Sequence, residues 1–120
     1  MTTTKLIAVG ATALVASIVG CDSGPAPDMT AAKAVFTAKC AVCHGSVGKG
    51  DGPGAASLTP KPATFADAAW QAKVTDDQIG KAILGGGPAV GKSPLMPPNP
   101  DLQGKPRVVA GLVKMVRAFK

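Results

Sequence analysis

Cys40-Ala41-Val42-Cys43-His44 is the stretch of this 120-residue chain from which its fold and chemistry follow. It has the form C-x-x-C-H, in which each thiol can add to a vinyl group of one porphyrin edge and the histidine can bind the iron. A redox-active dithiol needs a βαβ context that the chain lacks, and zinc needs more ligands than its single histidine provides. The motif therefore predicts one covalent haem c, attached through Cys40 and Cys43, with His44 as an iron ligand.

The second axial ligand of that iron must come from elsewhere, since a single histidine excludes bis-histidine ligation. Methionine, lysine, an exogenous group and an open position are the alternatives. Met29 lies at the start of an expected helix and Met115 inside another, where both are interpreted as packing or surface residues. Met96 lies in the proline-bracketed loop 93–98, and prolines reduce the entropy lost when a loop is fixed. We predict that Met96 is the second ligand.

The first twenty residues have the pattern of a secretory signal. A weakly positive start precedes an apolar run, Leu6 to Val19, whose 14 residues are few for a membrane span. The run ends in Ile18-Val19-Gly20-Cys21, which resembles a bacterial lipobox, and the chain's one cysteine outside the C-x-x-C-H motif falls at its cleavage point. Acyl chains, at about 0.8 kcal/mol per buried methylene, would hold such a protein on a membrane. We expect a signal peptide at 1–20, lipidation at Cys21 and a short tether at 21–28.

The remaining chain is mildly basic and poor in aromatic residues. Its formal net charge of +6 becomes +5 once residues 1–20, which include Lys5, are removed. Basic charge around a redox centre can steer an acidic protein partner. The lysines are dispersed and aromatic residues are scarce, so we expect no nucleic-acid partner.

Helical patterns occur in three places after the tether. The first runs from about residue 29 to Cys40, the second opens at a capping box, Thr75 to Gln78, and the third starts near Pro106. A weak helical turn is expected at 66–71. Alternating runs that would indicate strands are missing. We therefore predict an all-α domain over residues 29–120, with three to four helices.

The expected loops are long and rich in glycine and proline. Residues 45–62 should form turns, and residues 85–104 should have no regular structure. A small domain with such loops and only four aromatic residues has a poor core of its own. A large planar cofactor would supply the missing bulk, which agrees with the haem that the motif predicts.

One further motif is interpreted as a coincidence. Residues 86–93 fit G-x-x-x-x-G-K-[ST], but a phosphate loop follows a strand and opens a helix. Here a helix precedes the motif, and prolines follow it. We therefore expect no nucleotide.

From about Thr30 to Lys120 the sequence resembles a class I cytochrome c. The resemblance rests on the spacing of Ala32, Phe36 and Cys40, on the Gly48–Pro53 loop, and on the following matches: Leu58 to Pro62, Trp70, Thr75 to Ile83, Met96-Pro97-Pro98 and the last helix. Alanine stands at position 32, where the family usually has glycine at a helix crossing. The resemblance implies a small all-α fold wrapped around one haem, and an electron-transfer function.

The resemblance also implies roles for two residues around the haem. The carbonyl of Pro53 would accept a hydrogen bond from the His44 ring and raise its basicity. The indole N–H of Trp70 would point towards a haem propionate. Apart from the resemblance, an electron carrier would pass electrons through an exposed haem edge, and we expect lysines such as Lys39, just before the motif, to surround it.

Taken together, these patterns predict an electron carrier between membrane-associated respiratory partners and not an enzyme. A haem enzyme needs distal acid–base residues, and the chain has no second histidine and no glutamate. The alternatives are a haem subunit of a larger oxidoreductase complex, or an enzyme or sensor with an open iron position. The expected location is the periplasmic side of a bacterial membrane. Asp22, next to the lipidated cysteine, resembles a signal for the cytoplasmic membrane.

Overall fold

A computed structural model describes residues 24–119, so the predicted signal peptide and Cys21 lie outside the described residues. Helices are the only regular structure in this part of the chain. The α-helices are α1 (Met29–Val35), α2 (Ala41–His44), α3 (Ala68–Lys73), α4 (Asp76–Gly85) and α5 (Pro106–Ala118). A π-helical segment, Phe36–Cys40, joins α1 to α2. Residues 29–44 thus form one helical rod, and the all-α prediction is confirmed.

Three 3₁₀ turns interrupt the expected loops, at Pro53–Ala55, Gly87–Val90 and Pro100–Leu102. The prediction that residues 85–104 have no regular structure is therefore wrong. Each turn has a proline in its first two positions, where the fixed φ of proline suits a helical turn and its missing N–H costs nothing. None of the helices in residues 24–119 is long and apolar enough to cross a membrane.

The residues predicted to begin α1 and α4 form the expected N-terminal capping hydrogen bonds. Asp28 caps α1, because its carboxylate accepts a hydrogen bond from the Ala31 N–H at 3.0 Å. At the start of α4 the Thr75 hydroxyl accepts from the Gln78 N–H at 3.2 Å, and the Gln78 side chain accepts from the Thr75 N–H at 2.9 Å. The predicted capping box is confirmed.

The core lies between the rod, α4 and α5. Ile79 and Ile83 of α4 are buried in it, as their helical spacing predicts. The buried cluster comprises Ala32, Phe36, Phe65, Ile79, Ile83, Leu102, Leu112 and Val116.

α1 and α5 meet in direct backbone contact at Gly111. A Cβ atom on Gly111 would lie 2.7 Å from the Cβ of Ala32 and 2.7 Å from the carbonyl oxygen of Asp28. Ala32 has no exposed surface. The methyl group of Ala32 fits at this helix crossing because the opposing residue on α5, Gly111, has no side chain.

Arg117, near the end of α5, fixes the junction of α3 and α4. Its Nη1 donates to the carbonyl of Gln71 at 2.8 Å, its Nη2 donates to the carbonyl of Val74, and its Nε donates to Asp76 at 2.7 Å. The Gln71 amide donates in turn to the carbonyl of Phe65 at 2.7 Å. The planar guanidinium thus satisfies the last carbonyls of α3 in one geometry, which a lysine could not reproduce.

Gly111→Ala should destabilise the protein, while Gly80→Ala should not. The new methyl at Gly111 is overpacked and should cost about 1–3 kcal/mol. Gly80 is also helical, but a Cβ there would meet only Val109, at 3.9 Å. Gly80→Ala should therefore gain up to about 1 kcal/mol from helix propensity. Guanidinium unfolding of the two variants measures both changes, and equal effects would contradict the close crossing.

Candidate haem site

The C-x-x-C-H segment lies at the end of the helical rod, where a glycine-rich loop folds back over it. The Gly50 N–H donates to the carbonyl of His44 at 2.9 Å, and the Gly52 N–H donates to that of Cys43 at 3.2 Å. A Cβ on Gly54 would lie 3.4 Å from the Cys43 sulfur. The loop thus satisfies the last carbonyls of α2. It also passes close to the Cys43 thiol, and a residue larger than glycine would prevent this approach.

The Cys40 thiol lacks the lowered pKa that is typical of a redox-active dithiol. Cys40 and Cys43 are free and half-buried. Burial raises the pKa of the Cys40 thiol; nearby Lys39 lowers it to a smaller extent, and Cys43 raises it further. A catalytic dithiol has a lowered pKa, commonly at a helix N-terminus. Cys40 instead lies within the rod, so its surroundings do not favour the dithiol alternative.

Burial of the His44 imidazole favours its neutral form. Burial lowers its pKa, and the carbonyl of Ala63 opposes this to a smaller extent. The neutral ring is the form that binds metals. Nδ1 of His44 is buried, and no group in residues 24–119, the Ala63 carbonyl included, forms a hydrogen bond of normal distance and angle with it. Pro53 is exposed at the start of its 3₁₀ turn, and its predicted hydrogen bond to His44 stays a prediction.

A line of aromatic contacts supports the His44 ring. Phe65 stacks on the imidazole with ring centroids 4.7 Å apart and an interplanar angle of 18°. Trp70 packs on Phe65 at 5.1 Å, Phe119 at 6.1 Å, and Phe36 reaches Phe119 at 5.4 Å. All four aromatic residues of the chain therefore belong to one cluster that ends at the histidine. The role of Trp70 towards a propionate stays a prediction.

The Met96 loop is bound to the C-terminal end of α4. The Gly87 N–H donates to the carbonyl of Met96 at 3.0 Å. Asn99 donates through its backbone N–H to Leu84 at 3.0 Å and through its side chain to Ile83 at 2.8 Å. The two bonds of Asn99 satisfy carbonyls at the end of α4. Together with the Gly87 bond they fix the backbone of Met96 and of the residues that follow it.

Gly86 allows the loop to approach that closely. Its φ is +73°, in the region that favours glycine, and a Cβ there would lie 2.5 Å from the carbonyl oxygen of Met96. Residues 86–93 follow α4 and form a 3₁₀ turn and a loop. This is not the strand–loop–helix arrangement of a phosphate loop.

An ion pair connects the two parts of the candidate site. Lys39, next to Cys40, donates to both carboxylate oxygens of Asp101 at 2.7 Å. Asp101 lies in the turn that follows the Met96 loop. The hydrogen bond from Lys39 is the largest cause of the lowered pKa of Asp101. The charge of Lys39 is thus shared with an intramolecular partner, and is less available to a redox partner than expected.

These features fit a covalently attached haem. The site offers two free thiols one helical turn apart, a neutral imidazole with an orphaned buried nitrogen, and close-packed glycines around Cys43. No group of three or more Cys, His, Asp or Glu residues in the described part of the chain could hold a metal ion.

Comparison with known proteins agrees with this geometry. Residues 29–110 match the sequence model of the family described as Cytochrome c. The chain belongs to the cytochrome c family. This cytochrome is similar to a solved structure, the KustC0563 c-type cytochrome, with 33% identity over 74% of this chain and 96% of that chain, and a TM-score of 0.52. No curated protein matches the chain significantly.

Family membership establishes the cofactor and the general function. This cytochrome carries a covalent haem c, with Cys40 and Cys43 in the C-x-x-C-H motif, and its function is haem-based electron transfer with redox partners. The predictions of a class I cytochrome c and of its small helical fold are confirmed.

Sequence reasoning missed three residues that shape the site: Phe65, Asn99 and Asp101. Each acts on a residue far away in sequence or through a backbone bond, so no short motif marks it. The scarcity of aromatic residues was a signal for Phe65, because so few rings tend to gather in one core.

Phe65→Leu should change the environment of His44, whereas Phe36→Leu should not. Both phenylalanines are buried core residues, so either change should cost about 1–1.5 kcal/mol of stability. Only Phe65 contacts the imidazole. Proton NMR of the oxidised protein should show shifted His44 ring resonances in Phe65→Leu alone. Equal shifts in both variants would contradict the positioning role of Phe65.

Proposed function

We propose that this cytochrome transfers one electron at a time between membrane-associated respiratory proteins, with His44 and Met96 as the axial ligands of its haem iron. The observation that carries this proposal is the backbone of Met96 and of the residues after it, which is held by hydrogen bonds to Gly87 and to the end of α4. A thioether is a weak ligand, so it needs a loop that loses little entropy when the bond forms. The hydrogen bond from Gly87 to the Met96 carbonyl, those from Asn99 to α4, and the neighbouring prolines supply such a loop.

The proposed axial ligands favour an electron carrier over a haem enzyme. When bound, the haem supplies a one-electron ferric–ferrous couple. His44 and Met96 would occupy both axial positions and exclude a substrate from the metal. A methionine ligand favours the reduced state and raises the potential relative to two histidines. Cys40 and Cys43 would keep the porphyrin edge at the end of the rod, and Phe65 would hold the His44 ring.

Exposed apolar side chains beside the ligands support a partner surface at the haem edge. Val42, between the two cysteines, is 49% exposed, and Leu95, next to Met96, is 52% exposed. Small exposed apolar areas beside a redox centre suit short-lived contacts with protein partners.

Met96→Ala should remove the sulfur ligand and leave the haem attached. The weak ferric absorption band near the red end of the visible spectrum, which arises from iron–sulfur bonding, should disappear, and the reduction potential should fall. Absorption spectra and a spectroelectrochemical titration measure both. Met115→Leu is the control, because Met115 lies inside α5 and should not affect the band. A band that persists in Met96→Ala would refute the ligand assignment.

Carbon monoxide separates the carrier from the alternatives with an open iron. Binding to the reduced wild-type protein should be slow, because Met96 must first leave. Fast binding would favour an enzyme or sensor. Purification with a defined oxidoreductase would instead favour a permanent subunit.

We further propose that Cys21 is lipidated and that the domain works on the periplasmic side of a bacterial membrane, most simply the cytoplasmic one. The support is the apolar run followed by Ile18-Val19-Gly20-Cys21.

Cys21→Ser should release the protein from the membrane fraction. Acyl chains supply nearly all of the membrane affinity of such an anchor. Fractionation and intact-mass measurement should show a soluble protein without acyl mass, whereas the control Ser23→Ala should remain acylated and sediment with membranes. Sedimentation of Cys21→Ser as before would refute the anchor.

A further inference from the structure

The chain segment before α1 is bound to the folded domain. Pro25 lines a groove between α4 and α5. The carbonyl of Ala26 accepts a hydrogen bond from Nε of Arg107 at 3.0 Å, and the Asp28 N–H donates to the carbonyl of Arg107 at 2.8 Å. The segment is therefore held from Pro25 onwards, at the place where the N-terminal ends of α1 and α5 meet.

This contact shortens the tether between the domain and Cys21. Four residue steps separate Cys21 from Pro25 and span at most about 14 Å. The helical rod is longer than that, because Cys43 lies roughly 20 Å along it from Met29. An acylated Cys21 in a bilayer would thus keep the first turns of α1 and α5 near the lipid surface, with the haem attachment site at the far end of the rod.

The exposed residues at this end of the domain suit an anionic lipid surface. We name Met29, Thr30, Lys33, Lys105 and Arg107 the basic end. All five are exposed, and Met29 is 39% exposed although it is apolar.

Three carboxylates lie near the basic end, and Asp76 among them is paired with Arg117. Asp28 is engaged by the Ala31 N–H, and Asp101 is paired with Lys39 and influenced by Lys105. The positive charges still prevail there, because the basic end contributes three cations and Asp101 is already paired. Each basic side chain near an anionic membrane strengthens association about fivefold.

We propose that the basic end is a membrane-contacting surface for anionic phospholipid headgroups, which orients the domain with its haem site away from the bilayer. The inference rests on the lipid anchor at Cys21 proposed above. It adds that the anchored domain has one preferred orientation, set by the Arg107 contacts and by the charges of the basic end.

Cysteine accessibility on vesicles tests the orientation. Thr30→Cys places a thiol in the basic end, and Ser57→Cys places one in the exposed loop after the Pro53–Ala55 turn, which packs against α2 at the haem end. Cys40, Cys43 and Cys21 are blocked by haem and by acylation. Each haem-loaded, lipidated variant is placed in vesicles of phosphatidylethanolamine and phosphatidylglycerol and treated with a bulky polyethylene-glycol maleimide. The same variants in detergent give the reference rates.

Thr30→Cys should be labelled about 25-fold more slowly on vesicles than in detergent, because two basic side chains at an anionic surface each contribute about fivefold. Ser57→Cys should be labelled at the same rate in both. Adding Lys33→Gln and Lys105→Gln should remove most of the protection of Thr30→Cys. Adding Lys49→Gln and Lys92→Gln, two exposed lysines outside the basic end, makes the same charge change and should leave the protection intact.

The other outcomes overturn the proposal in distinguishable ways. Equal labelling of both thiols in protein that sediments with the vesicles would refute the orientation and leave the anchor standing. Protection of Ser57→Cys instead of Thr30→Cys would refute it in the same way. Protection of Thr30→Cys in detergent as well would indicate a protein contact and not a lipid surface. Protein that neither sediments nor carries acyl mass would overturn the orientation and the anchor together.

Discussion

The structure depends on one requirement: five consecutive residues must present two thiols and an imidazole to the same flat cofactor. A helix meets it, because positions three and four apart share a face. The helix must then end at His44, and its last carbonyls must find donors. Gly50 and Gly52 supply them by folding the next loop back over the motif. The glycine-rich composition of that loop is thus a consequence of the attachment chemistry.

Most of what could be predicted from the sequence is local. The capping box at Thr75, the start of α5 at Pro106 and the C-x-x-C-H motif each depend on residues a few positions apart, and each was identified correctly. The π-helical segment could not be predicted, because an i→i+5 bond such as that from Ala41 to Phe36 leaves the helical pattern nearly unchanged. The Arg117 network was missed because it joins residues more than 40 positions apart.

The crossing of α1 and α5 illustrates how a departure from a family pattern can be absorbed. Alanine at position 32 would separate two helices if the opposing residue carried a side chain. Gly111 has none, so the backbones still approach and the methyl of Ala32 is fully buried. The close contact is a property of the pair. Neither position alone in the sequence could reveal it.

The two sides of the proposed haem site are held by interactions of different strength. On the His44 side, the motif is covalently attached, the imidazole is buried, and Phe65 packs on it from within the core. On the Met96 side, the loop depends on the hydrogen bond from Gly87 to Met96, on those from Asn99 to the end of α4, and on the exposed pair of Lys39 and Asp101. Exposed pairs are screened by salt and loop bonds compete with water. If Met96 is the sixth ligand as proposed, partial unfolding should release it before it disturbs His44, so that the haem stays attached while the sixth position of the iron opens.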